Sequence, residues 1–409
     1  MKNLLSKTNG ITFAIALLTF IIGWQLGHRD LSLSWTNFKP QFTISNQTPP
    51  LDKQNIDFKL FWDTWDLVSK EYVDKKAIDP QKMYYGAIAG MVQALGDPYT
   101  VFLPPDQQKS TKEELGGSFE GVGIQLGFNK DKRLVVIAPL KGTPAEKAGI
   151  LAGDMILKIE DKDSTSFSLP EAVNLIRGPK GSKISLQTYR EGDEKPRDLS
   201  LQRDTIVVKS VEVEQKTTPS GKKIAYIKLT RFGERTFDEW NQAVSDTLAM
   251  GASGVILDMR NNPGGFLDGS VFIGSEFIEN GNIVLQENSA GEKTPYKVNR
   301  VGKLLKLPLV VLINKGSASA SEIVAGAIQD TKRGKLLGTQ SFGKGTIQES
   351  QDLPGGTGIH ITTAKWLTPS GRWIHETGLT PDIVVELTDE DLKDPAKDPQ
   401  LDKALETLN

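Results

Sequence analysis

Three short apolar runs constrain this chain more than any other feature. Residues 225–229, 254–258 and 309–313 are near-continuous in apolar side chains over strand length, not alternating. A strand with one wet face alternates, whereas one buried on both faces does not, so the three runs predict a largely parallel sheet covered by helices. Between them the chain carries helical patterns, which places residues 207–388 in the α/β class, α+β for the chain as a whole. A length of 409 residues suits two to three domains of ~150 each. Charged residues at 24% and hydrophobic ones at 38% describe a folded chain, not a disordered one. The 49 Lys and Arg against 51 Asp and Glu leave no basic surplus to neutralise phosphates, which argues against a nucleic-acid partner. Cysteine is absent, which removes disulfides, thiol catalysis and Cys-based metal sites. With only His28, His360 and His375, a three-His metal centre or a Ser-His-Asp triad has little to draw on, and no metal is expected.

The N-terminus carries a different signal. Residues 8–27 hold no charged side chain, and Lys2 and Lys7 precede them. Twenty helical residues span roughly 30 Å, the thickness of a bilayer's hydrocarbon core, and the flanking lysines favour a cytoplasmic start. Trp24 suits an interfacial position, and the following residues offer no good small-x-small cleavage site, so an uncleaved membrane anchor is expected ahead of a cleaved signal peptide. Either way the remaining chain is expected outside the cytoplasmic membrane.

Along the chain, residues 31–56 are rich in Ser, Thr, Asn and Pro and read as an extended linker. Two helical patterns follow within residues 57–115, the second stopping at Gly96-Asp97-Pro98. Residues 116–206 change texture: strands are expected near 122–128, 134–138, 153–159 and 184–189, with a helix over 168–177 capped by Ser168. The glycine-bracketed Gly121-Val122-Gly123-Ile124 ahead of a strand, with that helix some 45 residues on, resembles a PDZ domain. In such a module free backbone N–H groups hold a terminal carboxylate and the ligand adds as a strand. Apolar Val122 and Ile124 then favour an apolar terminal side chain. Arg177, at the helix end, either couples this domain to its neighbour or is a solvated cation.

Two segments near the C-terminal end carry chemistry. Asn314-Lys315-Gly316-Ser317-Ala318-Ser319-Ala320-Ser321-Glu322 directly follows the run at 309–313, and Ser341-Phe342-Gly343-Lys344-Gly345-Thr346-Ile347-Gln348 comes shortly after. Asp258-Met259-Arg260-Asn261-Asn262-Pro263-Gly264-Gly265 follows another run. With the PDZ-like segment before them, and with Gly96-Asp97-Pro98-Tyr99-Thr100 and Thr368-Pro369-Ser370-Gly371-Arg372, these resemble the carboxy-terminal processing (tail-specific) proteases. The resemblance covers roughly residues 58–409.

That resemblance implies a crotonase-like protease core with an inserted PDZ domain, a serine nucleophile and a lysine base. The family's serine and lysine lie 25 residues apart, and counting back from Lys344 reaches Ser319, although the residues alone do not separate it from Ser317 and Ser321. Gln348 matches the position of an amide that orients the lysine. The Ala320 N–H, at a helix mouth, and the Gly264 or Gly265 N–H, with Gly265 favoured, are the expected oxyanion donors. Asp330 matches an acidic family position, but a carboxylate touching Lys344 would raise its pKa, so a structural role is expected. A Ser319–His360 pair lacks an acidic orienter. The family also suggests dimers, here through the helices of 58–95. The organisation expected is a tip and transmembrane anchor at 1–30, linker at 31–56, N-terminal helical segment at 57–115, PDZ domain at 116–206, catalytic core at 207–388 and tail at 389–409. The expected protein is a membrane-anchored serine endopeptidase of a bacterial cell envelope, acting on the extracytoplasmic side without cofactor. Its substrates are polypeptides with accessible apolar C-termini. The competing reading is an inactive PDZ adaptor that binds such tails without cutting them.

Overall fold

The computed structural model describes residues 19, 31–36, 39–44, 56–388, 390, 391, 394 and 397–409. The chain divides into two compact units, Met1–Met83 and Tyr84–Asn409. Among the described residues no helix is long and apolar enough to cross a membrane. The anchor expected at residues 8–27 lies, apart from Thr19, outside them.

In the first unit the stretch read as a linker contains two strands. Leu31–Thr36 and Lys39–Ile44 pair antiparallel, with Thr36 opposite Lys39 across a two-residue connection. The first strand did carry a signal, since Leu31, Leu33 and Trp35 alternate with Ser32, Ser34 and Thr36, but the Ser, Thr, Asn and Pro content of the wider stretch outweighed it. The helix Lys59–Glu71 then buries none of its residues, leaving Leu60, Trp62 and Leu67 exposed.

Within the second unit the PDZ-type domain is held at its base by strands Ser118–Gly121 and Asp204–Val207, which pair antiparallel so that the chain enters and leaves side by side. Its sheet runs in the order Arg197–Gln202, Lys183–Tyr189, Met155–Ile159, Leu134–Pro139, Ile124–Phe128, every pairing antiparallel. The helix Leu169–Ile176 starts where expected: Glu171 takes the Ser168 backbone N–H at 2.8 Å and its hydroxyl at 2.6 Å.

The three apolar runs do become neighbours in one sheet. Its order is Val211–Thr217, Lys223–Leu229, Gly254–Asp258, Leu309–Ile313, Lys335–Gly338, Ile383–Val384, parallel from the second strand onward. Val310, Val311 and Leu312 are at most 1% exposed, and each such side chain contributes about 1.5–3 kcal/mol on burial. A second, antiparallel sheet holds Lys293–Lys297, Asn282–Asn288, Gly358–Leu367 and Thr346–Asp352, with Val101–Leu103 added to the Gly358–Leu367 strand. The consequence for chemistry is positional. Three adjacent parallel strands end in residues 259–266, 314–319 and 339–345, so three sequence-distant loops open at the same carboxyl edge, where open α/β sheets bind ligands.

Candidate active site

Ser319 occupies an unusual backbone position. It precedes the helix Ala320–Asp330 with φ 54° and ψ −116°, a left-handed conformation that a residue with a Cβ adopts only where its surroundings impose it. The imposition is visible in the neighbours. Ser317 Oγ donates to the Met259 carbonyl at 2.8 Å and accepts from the Asn314 N–H at 3.0 Å. Ser321 Oγ donates to the Asn262 carbonyl at 2.9 Å. Both hydroxyls are therefore spent on the loop of the adjoining strand, and both side chains are buried. Of the three serines only Ser319 lines a cavity of about 150 Å³, together with Gly265, Ala320, Lys344 and Gln348.

Apart from Thr346, the rest of that cavity is apolar: Phe266, Leu267, Ile323, Ile347 and Trp366. Burial pushes the Lys344 amine below the ordinary ammonium range, opposed but not overcome by the charges of Asp97 and Glu322. Gln348 reaches the cavity wall, but its amide does not bond to the lysine; its NH₂ donates to Thr346 Oγ1 at 2.9 Å and Thr362 Oγ1 at 3.0 Å. Neither His360 nor His375 lines the cavity that holds Ser319. His375 accepts the Gly345 N–H through Nδ1 at 3.3 Å, and His360 sits in the strand Gly358–Leu367 with Ser350 and Val101 opposite it on the two flanking strands. Asp330 is engaged by Arg372 and the Ser370 N–H, the structural employment expected of it.

The Gly-Gly turn meets the serine directly. Gly264 has φ 99°, and a Cβ there would lie 2.8 Å from Ser319 Cβ and 2.9 Å from Ala320 N. Gly265 has φ 141°, and its Cβ would fall 2.0 Å from the Phe232 carbonyl oxygen. Asn262 Oδ1 takes the Gly264 N–H at 2.9 Å while its Nδ2 donates to the Leu229 carbonyl, tying the turn to the sheet. The two glycines thus divide the work: Gly264 permits the close approach, and Gly265 borders the cavity. Gly264→Ala is expected to push the Ser319–Ala320 peptide aside and lower kcat by about 10²–10³-fold with KM little changed, the range found when an oxyanion donor is displaced. Steady-state kinetics alongside a thermal melt checks this, and an alanine variant with normal kcat would refute it.

One residue central to this arrangement escaped the sequence reading. Glu322 is fully buried, and its carboxylate joins both loops: Oε2 accepts the N–H of Ser319 (2.8 Å) and Lys344 (2.9 Å), and Oε1 the Gly343 N–H (2.7 Å) and the Ser341 hydroxyl (2.6 Å). Burial raises its pKa despite these four donors. The signal was present, since Ser-x-x-Glu at a helix start is a capping box.

The PDZ-type groove, about 390 Å³, runs between the strand Ile124–Phe128 and the helix Leu169–Ile176. Gly121, Gly123 and Ile124 line it as expected. Val122 requires a correction: its side chain is 0% exposed in the domain core with Leu134 and Ile156, so it offers the groove only backbone. The apolar walls come from Ile124, Leu126, Val173 and Phe119 instead. Arg177, at the groove's end, pairs with Glu113 at 2.8 Å and lies over the Phe119 ring at 4.8 Å. Glu113 belongs to the helix Pro105–Gly116, whose Gln108 and Lys112 hold Asp352 at 2.8 and 2.7 Å, at the end of the strand that carries Gln348. Arg177 is thus a coupling contact, not a solvated cation.

Residues 223–385 match the profile of peptidase family S41, residues 135–190 that of the PDZ domain, and residues 29–107 that of the N-terminal domain of the activating protease CtpB. The carboxy-terminal processing protease CtpA of Bacillus subtilis is 40% identical over 326 residues, covering 80% of this chain and 68% of that protein. The chain belongs to the carboxy-terminal processing protease family. It is a serine-type peptidase. The carboxyl-terminal-processing protease of Synechocystis is 36% identical over 362 residues, 88% of this chain and 84% of that one. Among solved structures, one from Bacteroides fragilis assigned to the S41 proteases shares the fold, with a TM-score of 0.55 at 17% identity over 90% of this chain and 99% of that one. The photosystem II D1 C-terminal processing protease is 31% identical over 82% of this chain and 94% of its own, with a TM-score of 0.49. For a processing protease of this family, an apolar cavity holding a serine and a desolvated lysine is the place to look for chemistry.

Proposed function

We propose that this processing protease is a Ser-Lys endopeptidase that selects polypeptides by apolar C-termini. The observation that carries the reading is the single cavity that brings together Ser319, Lys344 and the Gly265–Ala320 backbone. The neutral Lys344 amine takes the Ser319 hydroxyl proton as Oγ adds to the scissile carbonyl. The Ala320 N–H, at the positive end of its helix, and the Gly265 N–H receive the oxyanion. On collapse the ammonium returns its proton to the departing amine, leaving an acyl-enzyme. Lys344 then deprotonates a water that releases the new carboxylate and restores the serine. Phe266, Leu267, Ile323 and Trp366 favour an apolar side chain next to the cut bond. Gln348, its NH₂ held by two threonines, keeps its oxygen as the group available to an ammonium. None of these steps draws on a cofactor.

The PDZ groove supplies tail recognition: open backbone around Gly123 for the carboxylate, apolar walls for the last side chain. The charge-free residues 8–27 support an anchor in the cytoplasmic membrane with the protease on its outer side. The exposed apolar side chains of Lys59–Glu71 support pairing of two copies.

The test is competition between two tails. Full-length protein in detergent micelles is given an unfolded polypeptide ending in Val-Ala-Ala and the same polypeptide ending in Asp-Asp. Burying one apolar side chain corresponds to about tenfold in affinity, so the apolar tail should be cut about ten times faster at low concentration. Equal rates would remove tail selection, and tight binding of the apolar tail without any cleavage would favour the adaptor.

A further inference from the structure

Lys344 also meets a residue from a distant part of the chain that is not among those lining the cavity. Its amine lies 5.0 Å from the centroid of the Tyr99 ring, over the ring face. Tyr99 belongs to the turn Gly96-Asp97-Pro98-Tyr99-Thr100, and that turn is firmly attached. Asp97 accepts the Tyr99 N–H at 3.0 Å and the Thr100 hydroxyl at 2.6 Å. Thr100 Oγ1 accepts the Thr362 N–H at 3.0 Å, and Thr362 Oγ1 is one of the two acceptors holding Gln348. The ring also sits edge-on to His375, 6.2 Å between centroids, and His375 stacks on Trp373 at 5.2 Å. The ring is therefore fixed against the active-site strands.

We propose that Tyr99 is a positioning residue that parks the Lys344 amine on its ring face in the resting enzyme and so controls how readily that amine becomes a base. This rests on Lys344 being the base. An aromatic face attracts an ammonium and not a neutral amine, so the ring opposes the deprotonation that catalysis needs. The other titratable groups around the pair are Asp97 from the same turn, Glu322 from the helix Ala320–Asp330, His360 from the strand Gly358–Leu367, and Glu376 and His375 near the ring. Burial and the neighbouring carboxylates raise the Tyr99 hydroxyl above its usual value, so the ring stays a neutral phenol and the attraction is that of a π face, not of a phenolate. The ammonium must first lose a proton to solvent, and only the neutral amine, no longer held by the ring, accepts the Ser319 proton as Oγ adds to the substrate carbonyl.

The experiment compares wild type, Tyr99→Phe, Tyr99→Leu and 3,4,5-trifluorophenylalanine at position 99, all as the full chain. Two rates are followed against pH: casein cleavage, and inactivation by diisopropyl fluorophosphate, which reports the serine without a peptide. Phenylalanine keeps the face and should leave the acidic limb in place. Leucine keeps apolar cover without a π face, and fluorination drains the face without changing its shape. Both should move the acidic limb about one unit toward lower pH, with up to about tenfold faster inactivation below it. If Leu and trifluorophenylalanine superimpose on Phe, or move the limb upward, the proposal is wrong; the fluorinated ring decides the matter should the leucine variant fold poorly. A Lys344→Ala control separates the two ideas: full activity there overturns the lysine as base, whereas loss there with unmoved limbs overturns only the role of Tyr99.

Discussion

Ser319→Ala is expected to reduce cleavage of an unfolded polypeptide by at least about 10⁴-fold, and Lys344→Met to do the same, because a nucleophile and its base act as one unit. The double variant should then be no worse than either single one. Lys344→Arg separates charge from basicity. A guanidinium does not deprotonate in proteins, so it preserves the cation and abolishes the base, and it should be as inactive as methionine. The wild-type pH profile carries the sign. Only the neutral amine accepts a proton, so kcat/KM rises with pH through the Lys344 pKa. Because burial lowers that pKa, the rise falls below the usual lysine range near 10.5. Substantial cleavage by Lys344→Arg, or a profile flat across the same range, would overturn the assignment.

Glu322→Ala should be nearly as damaging through a different route. The carboxylate is the common acceptor for Ser319, Ser341, Gly343 and Lys344, drawn from two loops that no other side chain joins in this way among the described residues. Removing it leaves buried donors without acceptors at roughly 1–3 kcal/mol each, partly relieved where water enters, so a loss of about 3–5 kcal/mol in stability is expected. With the loops uncoupled, kcat should fall about 10²-fold or more in whatever fraction remains folded. Glu322→Gln is the sharper probe. It preserves volume but turns an NH₂ toward two of the four donors, so it should lower the melting temperature and kcat together. If the glutamine variant matches wild type in both, the carboxylate is not what holds the two loops in register.

Much of this was legible from residues in order. The runs at 225–229, 254–258 and 309–313 announce a doubly covered sheet because burial on both faces is a local property of each strand. The PDZ helix announces itself through Ser168 and Glu171, since a cap bonds only to its own first turn. The alternation of residues 31–36 was legible and passed over, whereas their pairing with 39–44 and the inward turn of Val122 were not legible. Strand pairing and the choice between groove and core depend on partners that lie elsewhere in the chain.

The candidate site divides along the same line. The linear order of residues was enough for the protease family and for the strand-loop-helix frame around Ser319, because these live in short segments with local geometry, and the spacing that singled out Lys344 picked a residue that lines the same cavity. Folding alone decided which of three neighbouring serines faces the cavity, for the carbonyls of Met259 and Asn262 that claim Ser317 and Ser321 come from the adjacent strand's loop. Folding alone also set Tyr99 on the amine of Lys344 and made Glu322 the shared acceptor of two loops. Contacts of that kind leave no periodicity behind, because they depend on which strands became neighbours.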